Sequence, residues 1–227
     1  MLHAFKLGGL ELKWTGQNTV TQKARLKGTD LGKEMWAFIP RNTLPYLKYV
    51  KDTEYCHIQS VDLTPYVFDA SIEAPGIPST GNYWELTKTV NSWRTILIGG
   101  MKQGGACRNS TTVCTDVNGD GAKDCVNTPI PNVGYSSYFA LDVTDQNNPQ
   151  LLWEFSNENL GFTTSGPAIV RINSRTAGAT NSTADGKTTD GRFFVVFGSG
   201  PTGPIDGPTQ KFQGRSDQPL RLFVLDL

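Results

Sequence analysis

The hydrophobic residues of this chain recur in short runs that alternate with polar positions, the period-two pattern typical of β-strands. Four kinds of run follow one another in a fixed order. They are a leading run (57–72 and 161–172), a run that ends in glycines (93–105 and 192–203), a run with an apolar–acidic end (138–144 and 221–227) and a run centred on tryptophan (150–155). The third and fourth kinds also occur at 1–7 and 33–40, with residues 8–32 inserted between them. The repeated order predicts four-stranded antiparallel units.

Repeated four-stranded units are typical of a β-propeller, in which each unit, a blade, packs face to face on its neighbours. The repeat predicts one domain over 1–227. About 1–50 supplies the last two strands of one blade and a linker helix, 51–160 one complete blade, and 161–227 most of a further blade. About two blades cannot close a ring, so we predict an all-β, partial β-propeller. A β-sandwich built from the same strands is the alternative.

Two segments depart from the strand pattern. Residues 42–50 place apolar side chains roughly on one face, with Thr43 as the cap and Pro45 near the first turn, which predicts about two turns of helix between blades. Residues 173–191 are small and polar without an apolar period, which predicts a long mobile loop between two strands. Both ends of the chain stop on strand-forming runs, so we expect further sequence beyond them.

Charge and hydropathy exclude several function classes. Lys plus Arg and Asp plus Glu both number 21, and the isoelectric point is near 6.7. This balance predicts no nucleic-acid partner and no attraction to an anionic membrane surface. No apolar run approaches the ~18 residues that a membrane-spanning helix needs, so we expect no membrane insertion. The N-terminus also lacks the pattern of a signal peptide.

One acidic stretch, TDVNGDGAKDC, carries the sharpest chemical signal in the chain. Oxygen donors recur at alternate positions of a D-x-N-x-D-G-x-x-D pattern, which lets a tightly wound loop aim them at one point. The candidate Ca²⁺ ligands are Asp116, Asn118, Asp120, the carbonyl of Ala122, and Asp124. Gly121 permits the sharp turn, whereas Asn127 stands where an EF-hand loop has a bidentate glutamate. The alternative is an ordinary polar turn, but three crowded carboxylates without a cation would repel one another.

The four cysteines do not form a zinc-binding pattern, because none lies in a C-x-x-C pair and only two histidines are present. They are Cys56, Cys107, Cys114 and Cys125. Their clustering around the acidic stretch favours at least one disulfide and an oxidising compartment. The spacing makes Cys114–Cys125 the first expectation, while Cys107–Cys114 is also allowed. Of the remaining cysteines, Cys56 and Cys107 would be free or paired with each other.

Other candidate sites have weaker signals. His57 with Asp62 and Asp69 lacks a nucleophile beside it, so a structural histidine is the better interpretation. Ser165 lacks the G-x-S-x-G context of a nucleophile elbow, and GSGPTG (198–203) lacks the lysine and following helix of a phosphate-binding loop. We predict no catalytic residue, and a strand-end turn at 198–203. The recurring tryptophans are predicted to pack between blades: Trp36, Trp93 and Trp153.

Three stretches follow one another along the chain: GKEMWAFIPRNTLPYLKYVKDTEYCHIQSVD, SWRTILIGGMKQGG and SSYFALDVTDQNNPQLLWEF. Together they resemble the C-terminal propeller domain of the PilY family, large proteins at the tip of bacterial type IV pili. The resemblance implies quinoprotein-like blades in a longer domain. It also implies an EF-hand-like calcium site at the five positions named above, linked to the control of pilus extension and retraction. This chain has no RGD triplet, so integrin adhesion is not implied.

Two classes of function follow from these patterns. The first is a non-enzymatic, calcium-binding module of a pilus-tip biogenesis or adhesion protein, exported through the periplasm to the cell surface. Its partners would be pilus subunits or the remainder of a larger PilY-type chain, with a host or surface receptor as a further candidate. The second is a quinoprotein-type dehydrogenase, disfavoured because the chain has no adjacent cysteine pair and the acidic loop lies in an insertion. A generic extracellular binding propeller is a third option.

Overall fold

The computed structural model describes residues 1–15, 19–51, 60–72, 90–104, 134–172, 192–202, 205–206, 211–212, 216 and 218–227. Every strand pair in these ranges is antiparallel. The strands are β1 (Leu2–Phe5), β2 (Gly9–Thr15), β3 (Thr19–Lys27), β4 (Glu34–Phe38), β5 (Tyr66–Ser71), β6 (Trp93–Gly100), β7 (Tyr138–Asp142), β8 (Gln150–Phe155), β9 (Ala168–Ile172), β10 (Arg192–Gly198), β11 (Ile205–Asp206), β12 (Lys211–Phe212) and β13 (Leu222–Asp226). The predicted all-β class is confirmed.

The chain divides into two compact units, Met1–Ile39 and Pro40–Leu227. In the first unit β1 pairs with β4, as predicted for the runs at 1–7 and 33–40. The residues between them form a second antiparallel pair, β2 with β3. The segment predicted only as an insertion therefore contains a hairpin. Glu11 on β2 bonds Arg25 and Lys27 across this hairpin, at 2.6 Å and 3.2 Å.

The second unit contains a four-stranded sheet in the order β5-β6-β7-β8, in which each strand pairs with the next along the chain. The four strands follow one another in the order of the four kinds of run. Gly99 lies opposite Phe139 in the register of β6 and β7. A Cβ atom at Gly99 would come within 2.3 Å of Cζ of that ring. Glycine at this position therefore lets the buried Phe139 side chain lie across the neighbouring strand.

The second unit also contains a three-stranded sheet in the order β13-β10-β9. The strand β10 pairs with β9 on one side and β13 on the other. After Arg192 the run FFVVF in β10 is continuously apolar, a pattern typical of strands that are covered on both faces. Residues 173–191, predicted as a mobile loop, lie outside the described residues. The pairing of Arg192 with Ile172 shows that this segment connects antiparallel neighbours.

The core of the second unit lies between these two sheets. Side chains from both sheets, with Leu160 from the segment between β8 and β9, form one buried cluster: Ala70, Ile96, Ile98, Tyr138, Ala140, Leu160, Phe193, Val195 and Phe197. Rings cross the interface, with Tyr138 and Phe197 4.1 Å apart between centroids and Phe155 and Phe223 5.3 Å apart. Aromatic pairs at these distances add to the free energy gained from apolar burial. Two sheets packed face to face are the arrangement of neighbouring blades, and the predicted partial propeller is confirmed in this part of the chain.

The predicted short helix is a 3₁₀ helix, Arg41–Lys51, with Pro45 inside it. The interpretation of Thr43 as its cap is wrong, because the helix begins two residues earlier. The backbone N–H groups of Arg41 and Asn42 instead donate to the carboxylate of Glu154, at 2.9 Å and 3.2 Å. The buried Thr43 hydroxyl has no hydrogen-bond partner among the described residues. No helix in these ranges is long and apolar enough to cross a membrane.

Candidate functional site

The four-stranded sheet brings the two ends of the acidic insertion together. Gly100, at the end of β6, pairs with Tyr138, at the start of β7. One residue further out, the N–H of Met101 donates to the carbonyl oxygen of Ser137 at 3.1 Å. The insertion therefore leaves and re-enters the sheet at hydrogen-bonded neighbours, as expected for a surface connection between two paired strands.

The predicted calcium ligands lie outside the described residues, because residues 105–133 are not among them. The predicted ligands are Asp116, Asn118, Asp120, Ala122 and Asp124. The four cysteines, Cys56, Cys107, Cys114 and Cys125, also lie outside. Within the described ranges no group of three or more His, Cys, Asp or Glu side chains could hold a metal ion. The calcium site and the disulfide pairing therefore stay predictions, and the described geometry concerns the base of the insertion.

The first end of the insertion is held by Thr163, from the segment that leads into the three-stranded sheet. The N–H of Lys102 donates to Thr163 Oγ1 at 2.7 Å, and the N–H of Thr163 donates to the Lys102 carbonyl at 3.0 Å. Lys102 has a φ of +55°, a conformation that costs free energy in a residue with a side chain. The two hydrogen bonds to one residue offset that cost. The base is therefore fixed in a defined geometry before the chain enters the insertion.

The second end of the insertion meets the same threonine. The hydroxyl of Ser136 donates to the carbonyl of Lys102 at 3.2 Å and lies 3.0 Å from the hydroxyl of Thr163. Both hydroxyl side chains are fully buried. We call Lys102, Ser136 and Thr163 the clasp. Buried hydrogen bonds of this kind are costly to leave unmade, so the clasp ties both ends of the insertion to the neighbouring segment.

The next residue, Ser137, links the base to the 3₁₀ helix. Its hydroxyl donates to Glu154 Oε1 at 3.2 Å, and the same carboxylate accepts the first helical N–H groups. A carboxylate at this position satisfies donors that the helix itself cannot, and it interacts favourably with the positive end of the helix dipole. Glu154 therefore has a structural role, joining β7, β8 and the helix.

The acids considered beside His57 are engaged elsewhere. Asp62 Oδ2 lies 3.4 Å from Nζ of Lys102, with both side chains about half exposed. Asp69 accepts a hydrogen bond from the Thr95 hydroxyl at 2.8 Å. His57 itself lies outside the described residues. The exposed Asp62–Lys102 ion pair contributes little stability by itself, but it places opposite charges at the base of the acidic insertion.

Ser165 is used in packing the two sheets together. The Tyr138 hydroxyl donates to the Ser165 carbonyl at 2.6 Å, and the Ser165 hydroxyl donates to the Gly198 carbonyl at 3.1 Å. Burial of the ring raises the pKa of Tyr138 above its ordinary value of 10.0, although its bonds to Ser165 lower the pKa in part. These contacts bridge β7 and β10. They give Ser165 a structural role, and the prediction that it is not catalytic stays a prediction.

The segment 198–203 begins as a strand-end turn, as predicted. β10 ends at Gly198, and the following backbone donors are already used: Ser199 N–H bonds Arg221 at 2.7 Å and Gly200 N–H bonds Leu160 at 2.8 Å. A Cβ atom at Gly200 would lie 1.6 Å from the carbonyl oxygen of Phe162. Glycine is required here because two backbones approach closely. Since the N–H groups of Ser199 and Gly200 already donate to backbone carbonyls, they are not available to bind a phosphate.

The tryptophans of the second unit pack between sheets. The Trp93 ring meets Phe193 edge-on at 6.2 Å, and Trp153 is partly buried against the shared core. Trp36 lies in β4 and is half-buried. The prediction of packing between blades is thus confirmed for Trp93 and Trp153.

The clasp was not predicted. Its signals in the sequence are the paired serines before YFALD and the threonines before SGPA, and both are common in turns.

The stacked antiparallel sheets, with a long insertion between two central strands, define a partial β-propeller. Most of the chain is a PilY-like region. Over 178 residues, 77% of the chain, it is 26% identical to a type IV pilus biogenesis factor PilY1 homolog from Xylella fastidiosa. A second such homolog from that organism is 25% identical over 177 residues, 75% of the chain. The type IV pilus biogenesis factor PilY1 of Pseudomonas aeruginosa is 33% identical over 149 residues, 63% of the chain.

The matched regions cover only a small part of these relatives: 10%, 8% and 9% of their lengths. No protein-family profile matches the chain. No solved structure matches it either. The predicted resemblance to the PilY family is therefore confirmed at the level of a PilY-like region within much longer proteins.

Proposed function

We propose that this chain is a calcium-binding, non-enzymatic module of a type IV pilus biogenesis protein, acting at the pilus tip on the bacterial surface after export through the periplasm. The observation that carries the proposal is similarity to named pilus biogenesis factors over 63–77% of the chain. Its partners are then pilus subunits or the remainder of a larger chain. A receptor on a host cell or another surface is a further candidate partner.

The acidic loop supplies the chemistry of the proposed site. Asp116, Asn118, Asp120 and Asp124 provide side-chain oxygens and Ala122 provides a carbonyl oxygen. Such a set suits Ca²⁺, which accepts six to eight oxygen ligands in flexible geometry. Water fills the place of the bidentate glutamate. The dissociation constant is then in the weaker part of the usual range, roughly 10⁻⁶ to 10⁻³ M.

The described base supports a role for the loop as a switch. Both ends of the insertion are bonded to Thr163, and Ser137 reaches Glu154 at the 3₁₀ helix. Calcium would cancel repulsion among the loop carboxylates and order the insertion above this base. The ordered insertion would present a face to the pilus machinery that the empty loop does not present.

Calorimetric titration with Ca²⁺ tests the site. We expect the wild-type chain to bind one ion and Asp120→Ala to lose binding, because a central ligand is removed. The control Val117→Ala changes the same loop at a residue that is not a predicted ligand, and it should bind as the wild type does. At 100-fold excess over the dissociation constant, calcium should add about 2.7 kcal/mol to the free energy of unfolding. Equal melting of the wild type with calcium and with chelator would contradict the proposal.

The pilus role is tested separately in the bacterium that carries the gene. Asp120→Ala in the chromosomal copy should lower the number of surface pili counted by electron microscopy, and Val117→Ala should not. If the wild-type chain binds calcium in vitro but Asp120→Ala cells carry as many pili as wild-type cells, the metal site would be supported and its role as a switch would be contradicted.

A further inference from the structure

The carboxylate of Glu154 accepts hydrogen bonds from two parts of the chain that are far apart in sequence. Its Oε1 lies 3.2 Å from the hydroxyl of Ser137, at the second end of the insertion, and 3.2 Å from the N–H nitrogen of Asn42, near the start of the 3₁₀ helix. Its Oε2 accepts the N–H of Arg41 at 2.9 Å. Because Ser137 and Asn42 share one oxygen, a change in one of these bonds alters the position of the acceptor for the other.

The Ser137 hydroxyl has a second acceptor within reach. Its Oγ lies 3.3 Å from Sδ of Met101, and both residues are fully buried. A hydroxyl has one proton to donate, so at any moment it serves either the Glu154 carboxylate or the Met101 sulfur. The carboxylate is the stronger acceptor of the two. Since Met101 lies at the first end of the insertion and Ser137 at the second, the direction of this hydroxyl depends on how the two ends are held.

The 3₁₀ helix is the element that Glu154 holds at its start. It covers 11 residues, Arg41–Lys51, whereas 3₁₀ helices longer than about three or four residues are uncommon because their hydrogen bonds have poorer geometry. The first N–H groups of a helix have no partner within it, and here the carboxylate supplies their acceptors. The start of the helix therefore has two states, one bonded to Glu154 and one released from it.

We propose that Ser137 and Glu154 form a relay that couples calcium binding in the insertion to the start of the 3₁₀ helix. The relay rests on the proposed function, because its input is the calcium loop. When calcium orders the insertion, the Ser137 hydroxyl stays on Oε1, and the carboxylate is held where it accepts the N–H groups of Arg41 and Asn42. Without calcium the hydroxyl turns to Met101 for part of the time, and the helix start is released more often.

Glu154 is a positioning residue in this relay, since it is not one of the predicted calcium ligands. Coupling between two sites is reciprocal, so a bonded helix start raises the affinity for calcium by the same factor by which calcium favours the bonded state. The calcium signal then reaches the segment that begins the second unit at Pro40, and is not confined to the insertion.

Amide hydrogen exchange of the 227-residue chain, followed by NMR with and without calcium, tests the relay. The N–H groups of Arg41 and Asn42 report directly on their bonds to Glu154. We expect calcium to slow their exchange about fivefold in the wild type. Ser137→Ala should bind calcium up to about fivefold more weakly in a calorimetric titration, and calcium should no longer change the exchange of these two amides.

Ser71→Ala is the matched control. Ser71 is also a fully buried serine of the four-stranded sheet, but its hydroxyl lies 2.6 Å from that of Ser92 and takes no part in the relay. This variant should keep the calcium affinity of the wild type and the slower exchange of Arg41 and Asn42 with calcium. Glu154→Gln removes the carboxylate itself, so it should speed the exchange of both amides with and without calcium.

The outcomes separate the relay from the calcium site. If the wild type binds calcium but the exchange of Arg41 and Asn42 does not change, the relay is wrong and the calcium site stands. The same conclusion follows if calcium slows these amides equally in the wild type and in Ser137→Ala. Failure of the wild type to bind calcium would contradict the site and the relay together. An effect of calcium that is lost in Ser137→Ala and kept in Ser71→Ala supports the relay.

Discussion

The four-stranded and three-stranded sheets of the second unit are built on the same plan and buried to different extents. Each has a central strand ending in glycine and a following strand of the form aromatic or leucine, Phe, small apolar, Leu, Asp. The first four residues of β7 are buried, whereas alternate residues of β13 are exposed. Strand sequence therefore sets the pairing and the register. Burial depends on which neighbouring strand and sheet cover the side chains.

The largest effect that tests this contrast is expected from two leucines on equivalent strands. Leu141 on β7 is 2% exposed and Leu222 on β13 is 71% exposed. Leu141→Ala should lower the free energy of unfolding by about 3 kcal/mol, because it leaves a cavity in a covered face. Leu222→Ala should change it by no more than about 0.5 kcal/mol. Urea unfolding of both variants measures the difference, and similar losses would show that the β13 leucine is covered in solution.

A smaller effect is expected where the three-stranded sheet meets the segment leading into it. Gly200→Ala forces a Cβ atom against the Phe162 carbonyl, so the backbone must shift at a cost of about 2 kcal/mol. The control is Gly198→Ala in the same sheet, where the nearest atom is the Leu220 side chain at 3.2 Å. Leu220 is highly exposed and can move aside. If thermal melting gave equal losses for both variants, the close approach at Gly200 would not be rigid.

Tyr138 tests the contact between the two sheets through its hydroxyl. Tyr138→Phe removes the hydrogen bonds to Ser165 and should cost about 1 kcal/mol near neutral pH. Burial raises the pKa of Tyr138, so its contribution to stability is complete below the ordinary value of 10.0 and is lost as pH rises through the higher folded-state pKa. The loss of stability above about pH 10 should therefore be shallower in the variant. Identical alkaline slopes by urea unfolding would contradict this account.

The smallest effect is expected outside both sheets, in the β2–β3 hairpin. The neighbouring Arg25 and then Lys27 hold the pKa of Glu11 below its ordinary value of 4.5. The stabilisation is present above that value and is lost as pH falls through the lowered pKa. Glu11→Gln should speed amide exchange in the hairpin slightly at low salt and not at high salt. Both larger sheets should exchange as in the wild type, and any change there would contradict this assignment.

The strands could largely be predicted from sequence, because apolar alternation directly reflects which side chains face a core. The run at 150–155 coincides with β8, Gln150–Phe155. The run at 161–172 contains a strand only over Ala168–Ile172, because its first half forms the backbone contacts between the sheets. Alternation alone does not distinguish a strand from a buried turn. The hairpin at 9–27 was missed because its leucines are exposed and indicate no core.

The candidate site could be predicted only in part. The spacing of oxygen donors in the acidic stretch is local, so it is readable without a structure. The clasp is not local, since Ser136 and Thr163 are 27 residues apart and join through hydroxyl groups that are common in turns. The positive φ of Lys102 is likewise invisible in the sequence, because that conformation usually selects glycine or asparagine.

The hydrogen-bonded base of the insertion has a consequence for how this chain can vary. The hydrogen bond between Met101 and Ser137 is the last one of the sheet before the insertion begins. The register of β6 and β7 therefore does not depend on the length or sequence of the insertion. Doubling the length of a flexible connection costs only about 0.6 kcal/mol in closure entropy. The base is therefore a natural grafting point. Insertions of other lengths and sequences can be exchanged there, by evolution or by a protein engineer, without rebuilding the blade.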